Sequence, residues 1–249
     1  MIVVSRRVLV TGGRRGIGAA IAVGLASPGT TVVIHHVAAP DEASAVASLC
    51  RARGADAVVA EADLSVTDEV LALAKAAGPV DVLVNNAARA SNVGLEVLTP
   101  DEWLATFAVN VTAPMLLSQA LSRGMTERGW GRIINITSAT VRMGGPSGPS
   151  YVSSKAALIG LTRSLARTLG RSGVTVNAIS PGAIQTEGEV ELAARHPRPP
   201  SAVPLAERQA VPRQLVPDDL VATAQWLASP GAAAVTGQVI EVGGGLVYR

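Results

Sequence analysis

Thr11-Gly12-Gly13-Arg14-Arg15-Gly16-Ile17-Gly18 ends the β-branched run Val8–Thr11 and opens a helical pattern from Arg15 to Ser27. Glycines at these points let the backbone turn sharply and approach an anionic ligand without a Cβ in the way. The helix that follows aims its N-terminal amides and the positive end of its dipole at such an anion. Gly12, Gly16, Ile17 and Gly18 are therefore candidate phosphate contacts. Alone, the same glycines would also fit a plain tight turn. The strand before and the helix after make the phosphate reading the better one.

Outward from this turn, short β-branched runs alternate with longer helical patterns. Beyond Val8–Thr11, the spacing predicts strands at Thr31–His35, Ala57–Glu61, Asp81–Asn85, Arg132–Thr137, Val174–Ile179 and Gln238–Val242. Helices are predicted over Arg15–Ser27, with Ala20, Ile21, Gly24 and Leu25 on the buried stripe, over Ala43–Arg53 and after Thr67. Longer ones cover Pro100–Arg128, Tyr151–Leu169 and Pro217–Ala228. Such alternation implies one α/β domain spanning 1–249, a parallel seven-stranded sheet wound on both faces. Right-handed crossovers then place ligands at the carboxyl ends of the strands. Glu187–Pro212, with Pro197, Pro199, Pro200, Pro204 and Pro212, interrupts the pattern. It reads as a lid over a substrate pocket, or else as a passive surface insertion.

The composition agrees. Of 249 residues, 48% are hydrophobic, 16% charged and only 2% aromatic, so Val, Leu, Ile and Ala must fill a large core. The net charge is +2, with no long basic run and no aromatic–basic interleaving, which argues against nucleic-acid binding. Cys50 is alone, excluding an internal disulfide and pointing to a reducing, cytoplasmic setting. The N-terminal run lacks a signal-peptide layout, and no apolar stretch is expected to be long enough to cross a bilayer. His35, His36 and His196 lack partners at metal-ligand spacing, so no metal is expected.

Tyr151-Val152-Ser153-Ser154-Lys155 sets a phenol and an ammonium one helical turn apart, in a chain with two tyrosines and two lysines. A phenol with a pKa of about 10 exchanges protons poorly near neutrality. A neighbouring ammonium lowers that value, fitting Tyr151 to act as general acid or base. Ser138, past the end of the fifth strand, faces the crevice and can hydrogen-bond a carbonyl oxygen as charge grows on it. On its own it would read as a helix or turn cap.

Arg14 and Arg15 stand beside the place for an adenosine ribose, and His35-His36-Val37 ends the second strand without the acid that would grip a free 2′-hydroxyl. Arginine, with any charge on His36, attracts a 2′-phosphate, favouring NADP(H) over NAD(H). The bland alternative is two solvated arginines and a space-filling histidine.

At this point the sequence resembles the short-chain dehydrogenase/reductase family in its compact, Rossmann-type, single-domain branch, and is similar to the 3-oxoacyl-acyl-carrier-protein reductases. Thr11–Gly18 matches the family's glycine turn; Asp63-Leu64 matches the adenine contact, and Asn85-Asn86-Ala87 the segment bracing sheet and cofactor. The resemblance implies a catalytic set of Asn110, Ser138, Tyr151 and Lys155, with Asn110 holding a relay water and Lys155 also binding the nicotinamide ribose. It implies further cofactor contacts at Asn86, Ala87, Ala88, Asn110, Ile136, Tyr151, Pro181, Gly182, Ile184 and Thr186. Arg15 falls where NADP-using members carry a basic residue, and His36 where NAD-using members carry Asp. Ala88 replaces the usual glycine, which would strain the chain if a positive φ were needed there. Gly243 replaces an Asp. Arg128 and Arg171 lie one residue off the arginines used by members that bind acyl carrier protein.

The leading expectation is thus an NADP(H)-dependent reductase of a small-molecule or acyl-thioester carbonyl. A dehydrogenase of sugars, polyols, cyclic alcohols or steroids using NAD is the alternative. A non-catalytic cofactor sensor is a third, disfavoured because Tyr151 and Lys155 are both present. Family members usually form homotetramers through the fourth- and fifth-strand helices. Ala156, Ala157, Gly160 and Ala166 could line such a contact, or pack only within the monomer.

Overall fold

Strands buried on both faces need nearly continuous apolar runs, and the central strands of this chain have them. The computed structural model describes residues 6–195 and 205–248. The first half runs β1 (Arg6–Val10), α1 (Gly16–Leu25), β2 (Thr30–His36), α2 (Pro40–Ala52), β3 (Asp56–Glu61), α3 (Thr67–Ala77) and β4 (Val82–Asn85). Next come α4 (Pro100–Phe107), a π-helical turn (Ala108–Thr112), α5 (Ala113–Glu127), β5 (Gly131–Ile136), α6 (Thr140–Met143) and α7 (Pro149–Leu169). The chain closes with β6 (Val174–Pro181), α8 (Glu187–Arg195), α9 (Val221–Leu227) and β7 (Val239–Val242).

All seven strands are parallel, in the order β3-β2-β1-β4-β5-β6-β7. This is the expected Rossmann-type, doubly wound sheet. Alternation along β1 feeds two cores: Val8 and Val10 pack with Ile21, Val46 and Leu227 on one face, while Leu9 packs with Val70, Leu117 and Ala166 on the other. The chain winds from β1 out to β3, then returns to place β4 on the other side of β1. That reversal opens a crevice at the strands' carboxyl ends.

Several expectations need correction. Of the buried stripe expected for α1, Ile21 is buried, with Gly18 and Ala22 beside it, whereas Ala20, Gly24 and Leu25 are only half-buried. The helix turns to put Gly18 against the glycine turn. The predicted helix over Pro100–Arg128 is broken at 108–112, where Ala113 N–H bonds Ala108 O, five residues back. Pro114 has no N–H for the carbonyl four residues back, that of Asn110. The whole run Pro100–Glu127 is long and apolar enough to cross a membrane by length and composition, contrary to the sequence expectation. Here it covers the sheet, packing on α3 and α7. Glu187–Pro212 begins with a helix, α8, because 187–195 holds good helix formers and no proline. His196, Pro197, Pro199, Pro200 and Pro204 lie outside the described residues. Ala88 escapes the strain considered for it, since Ala38 is the one described non-glycine residue with positive φ.

Candidate active site

Each strand of the crevice hands over to a loop bearing a candidate group: Gly12 after β1, His36 ending β2, Asp63 after β3, Asn86 after β4, Ser138 after β5 and Pro181 ending β6. Together they line two hollows. One, of about 320 Å³, includes Gly12, Arg14, Gly16, Gly18, His36, Asp63, Leu64 and Ala87. The other, of about 380 Å³, includes Ile136, Ser138, Tyr151, Lys155, Pro181, Gly182 and Ile184. Arg15, Ile17, Asn86, Ala88, Thr186 and Gly188 belong to both, so the hollows form one crevice. Asn110 lies behind it, buried.

The first hollow holds the residues read as dinucleotide contacts. Arg15, at the N-cap of α1, makes no capping hydrogen bond with its side chain, and no acid sits in the first turn, so the helix's leading amides have no side-chain cap. A Cβ on Gly18 would collide with the Gly12 carbonyl and lie 2.5 Å from Asn86 Nδ2. Thr11 Oγ1 accepts from the backbone of Asn86 (2.9 Å) and Ala87 (3.0 Å), locking turn to loop. His35 Nδ1 accepts from Gly12 N–H at 3.0 Å, so its proton sits on Nε2 and is donated to Ala62 O at 3.0 Å. Burial also lowers its pKa. His35 is therefore a neutral strut, not a source of charge for a phosphate. His36 Nδ1 accepts from Ala39 N–H. Asp63 uses Oδ1 to accept from the Ser65 hydroxyl and N–H, which hold its carboxyl below its ordinary value.

In the second hollow Lys155 is 2% exposed, and its Nζ donates to Ile136 O at 2.7 Å. Burial alone depresses its pKa from 10.5 to about 8. Nζ lies 5.7 Å from the centre of the Tyr151 ring. Tyr151 sits in the first turn of α7, started by Pro149 and therefore fixed in direction. Ser138 Oγ accepts from Thr140 N–H (3.2 Å) and from the Thr140 hydroxyl (2.9 Å). With both lone pairs engaged, the serine proton is left to donate into the hollow. Thr140 was not foreseen. Asn110 Nδ2 donates to Ser154 Oγ (2.9 Å) and Arg89 O (3.1 Å), while its Oδ1 accepts from Arg89 N–H (2.8 Å). Its side chain is thus a brace between the β4 loop and α7.

A family model described as short chain dehydrogenase matches residues 6–196. The chain belongs to this family. It is an oxidoreductase acting on CH–OH groups. A 3-oxoacyl-[acyl-carrier-protein] reductase from Synechocystis sp. is 37% identical, with 96% of each chain covered. A protein named as a probable galactose dehydrogenase, from Rhizobium meliloti, is 38% identical, covering 97% of this chain and 94% of the other. A solved 3-oxoacyl (acyl-carrier-protein) reductase from Agrobacterium tumefaciens C58, with NADP bound, superposes with a TM-score of 0.87 at 32% identity, covering 98% and 95%.

Two charge features of this dehydrogenase differ from the sequence reading. Arg14 and Arg15 are not bare: Arg14 Nη1 bonds Glu42 Oε2 at 2.5 Å, and Arg15 holds Glu191 with both terminal nitrogens. Arg128 bonds Val80 O (2.8 Å) and Asp81 (3.1 Å) just before β4, and Arg171 precedes β6. Both stand at the amino ends of strands, opposite the crevice of their own chain.

Proposed function

We propose that the chain interconverts a ketone and a secondary alcohol with NADP(H). The observation that carries this reading is the convergence of Tyr151, Lys155 and Ser138 on one hollow continuous with a dinucleotide-shaped one. A reduced nicotinamide held in this crevice would supply the hydride. Ser138 donates a hydrogen bond to the carbonyl oxygen, its proton directed by Thr140. Tyr151 delivers the proton that oxygen gains, and takes it back in the oxidative direction. Lys155, as an ammonium one turn along, favours the phenolate that remains and would hold the nicotinamide ribose. Asn110 presents its carbonyl, spared by Pro114, to a water that relays protons. The amides of Gly16, Ile17 and Gly18 would hold the pyrophosphate, Asp63 and Leu64 the adenine, and Thr186 the nicotinamide end.

The relatives support a small carbonyl substrate, with an acyl thioester first among them; nucleic acid and membrane have no role in this reading. We place the enzyme in the cytoplasm, as a homotetramer with residues 187–212 as its lid. A sugar substrate is the second reading, favoured by the 38% identity to the protein named as a galactose dehydrogenase and by the placement of Arg128 and Arg171 away from the crevice.

Purified protein should oxidise NADPH in the presence of an acetoacetyl thioester. Tyr151→Phe should lower turnover about 10²–10⁴-fold while still binding NADPH by fluorescence titration. Unchanged turnover in that variant would refute the assignment. Galactose oxidation without ketone reduction would select the second reading.

A further inference from the structure

The guanidinium that the cofactor reading assigns to a 2′-phosphate is already occupied. Arg15 Nη2 lies 2.9 Å from Glu191 Oε2, and Nη1 bonds Oε1 of the same carboxylate. This planar two-pronged pairing is the one arginine makes with a phosphate, so a phosphate and Glu191 would use the same donors. Arg14 is likewise engaged by Glu42. Glu187 adds a third carboxylate within electrostatic reach of Arg15. Three acids therefore face two arginines at the place where NADPH carries its extra charge.

The three acids are not equivalent. Glu42 stands on α2 and answers Arg14. Glu187 and Glu191 both stand on α8, but only Glu191 has a hydrogen bond to Arg15 among the described residues. Glu191 also lines the hollow of Tyr151 and Ser138, whereas Glu187 lines the ribose side and Gly188 both. Its carboxylate thus sits where α8 crosses from the cofactor's phosphates toward the substrate.

We propose that Glu191 sets the cofactor specificity of this enzyme by competing with the 2′-phosphate for Arg15. NADPH must displace the carboxylate, while NADH, lacking that phosphate, has no such contest. The enzyme accordingly discriminates between the two dinucleotides less sharply than Arg14, Arg15 and His36 suggest by themselves. This rests on the reading that Arg15 receives the 2′-phosphate.

Direct binding tests it, with NADPH and NADH titrated by nucleotide fluorescence against the full chain. Glu191→Gln keeps the shape and removes the charge. It should tighten NADPH about fivefold, the scale of an exposed but bidentate ion pair, and leave NADH unchanged. Glu187→Gln removes the same charge from the same helix without touching the Arg15 hydrogen bonds, and should tighten NADPH less than twofold, by the same scale. Arg15→Gln reports on the underlying reading. If it weakens NADPH while Glu191→Gln changes nothing, the competition is overturned and the cofactor reading stands. If Arg15→Gln leaves NADPH affinity intact, both fall. Equal tightening by the two glutamate variants would reduce the effect to net charge and overturn the specific role of Glu191.

Discussion

Lys155 shows what the site costs the fold. A buried ammonium bonded to a carbonyl is less stable than one in water, and depression from 10.5 to about 8 corresponds to about 3 kcal/mol at neutral pH. Lys155→Met should therefore stabilise the protein by about 2 kcal/mol at pH 7, after the lost bond to Ile136 O is offset, while abolishing turnover. The sign with pH follows from linkage. The folded-state pKa lies below the unfolded one, so between about pH 8 and 10.5 the folded state binds fewer protons and wild-type stability rises with pH. The variant's advantage should be full below pH 8 and gone near 10.5, as denaturant melts at several pH values would show; a variant less stable than wild type at pH 7 would contradict the burial argument. Tyr151, Lys155 and Ser138 were legible because their spacing is local. Thr140 was within reach too, a hydroxyl two residues past Ser138. His35 was not, since its role depends on β2 lying beside the β1 turn, and Glu191 was not, since 176 residues separate it from Arg15.

Among the elements, the strands were readable to within about two residues because β-branched runs and glycine punctuation coincide. The misreadings have physical causes. The prolines of Glu187–Pro212 mask the helical pattern of 187–195, which is proline-free. The π turn before α5 was signalled by Pro114 but hidden by an apolar period that continues through it. At Gly18, α1 lies against the glycine turn and the β4 loop, which both line the candidate cofactor hollow. Gly18→Ala would drive a methyl into the Gly12 backbone and Asn86. The backbone cannot yield as a flexible side chain can, so a loss of about 2–3 kcal/mol is expected, together with loss of NADPH binding. Calorimetry and titration on the same sample would check it; a variant that melts like wild type would mean that the turn and the helix are not held so closely.

At the scale of the molecule, the order β3-β2-β1-β4-β5-β6-β7 turns scattered motifs into one crevice, since every candidate loop leaves a carboxyl end. That much follows from parallel βαβ winding and was visible in the alternation of patterns. Assembly was less visible, because exposure depends on which way α7 rolls. Of the small residues on that helix, Ala166 is buried within the monomer, while Ala156 and Gly160 face outward. Leu95, Val97 and Leu104, before and on α4, are exposed at 77%, 71% and 63%. A Cβ on Gly160 would meet nothing within 4 Å, so a side chain there costs the monomer no space. It should even help the helix by about 1 kcal/mol, the usual gain over glycine. Gly160→Arg therefore separates assembly from folding. If α7 packs against a second copy, the guanidinium enters that contact, and mass by light scattering should fall from that of a tetramer toward the 25.3 kDa of one chain, with the melting cooperative throughout. If the variant keeps the mass of wild type, the outward face of α7 is ordinary surface and carries no subunit contact.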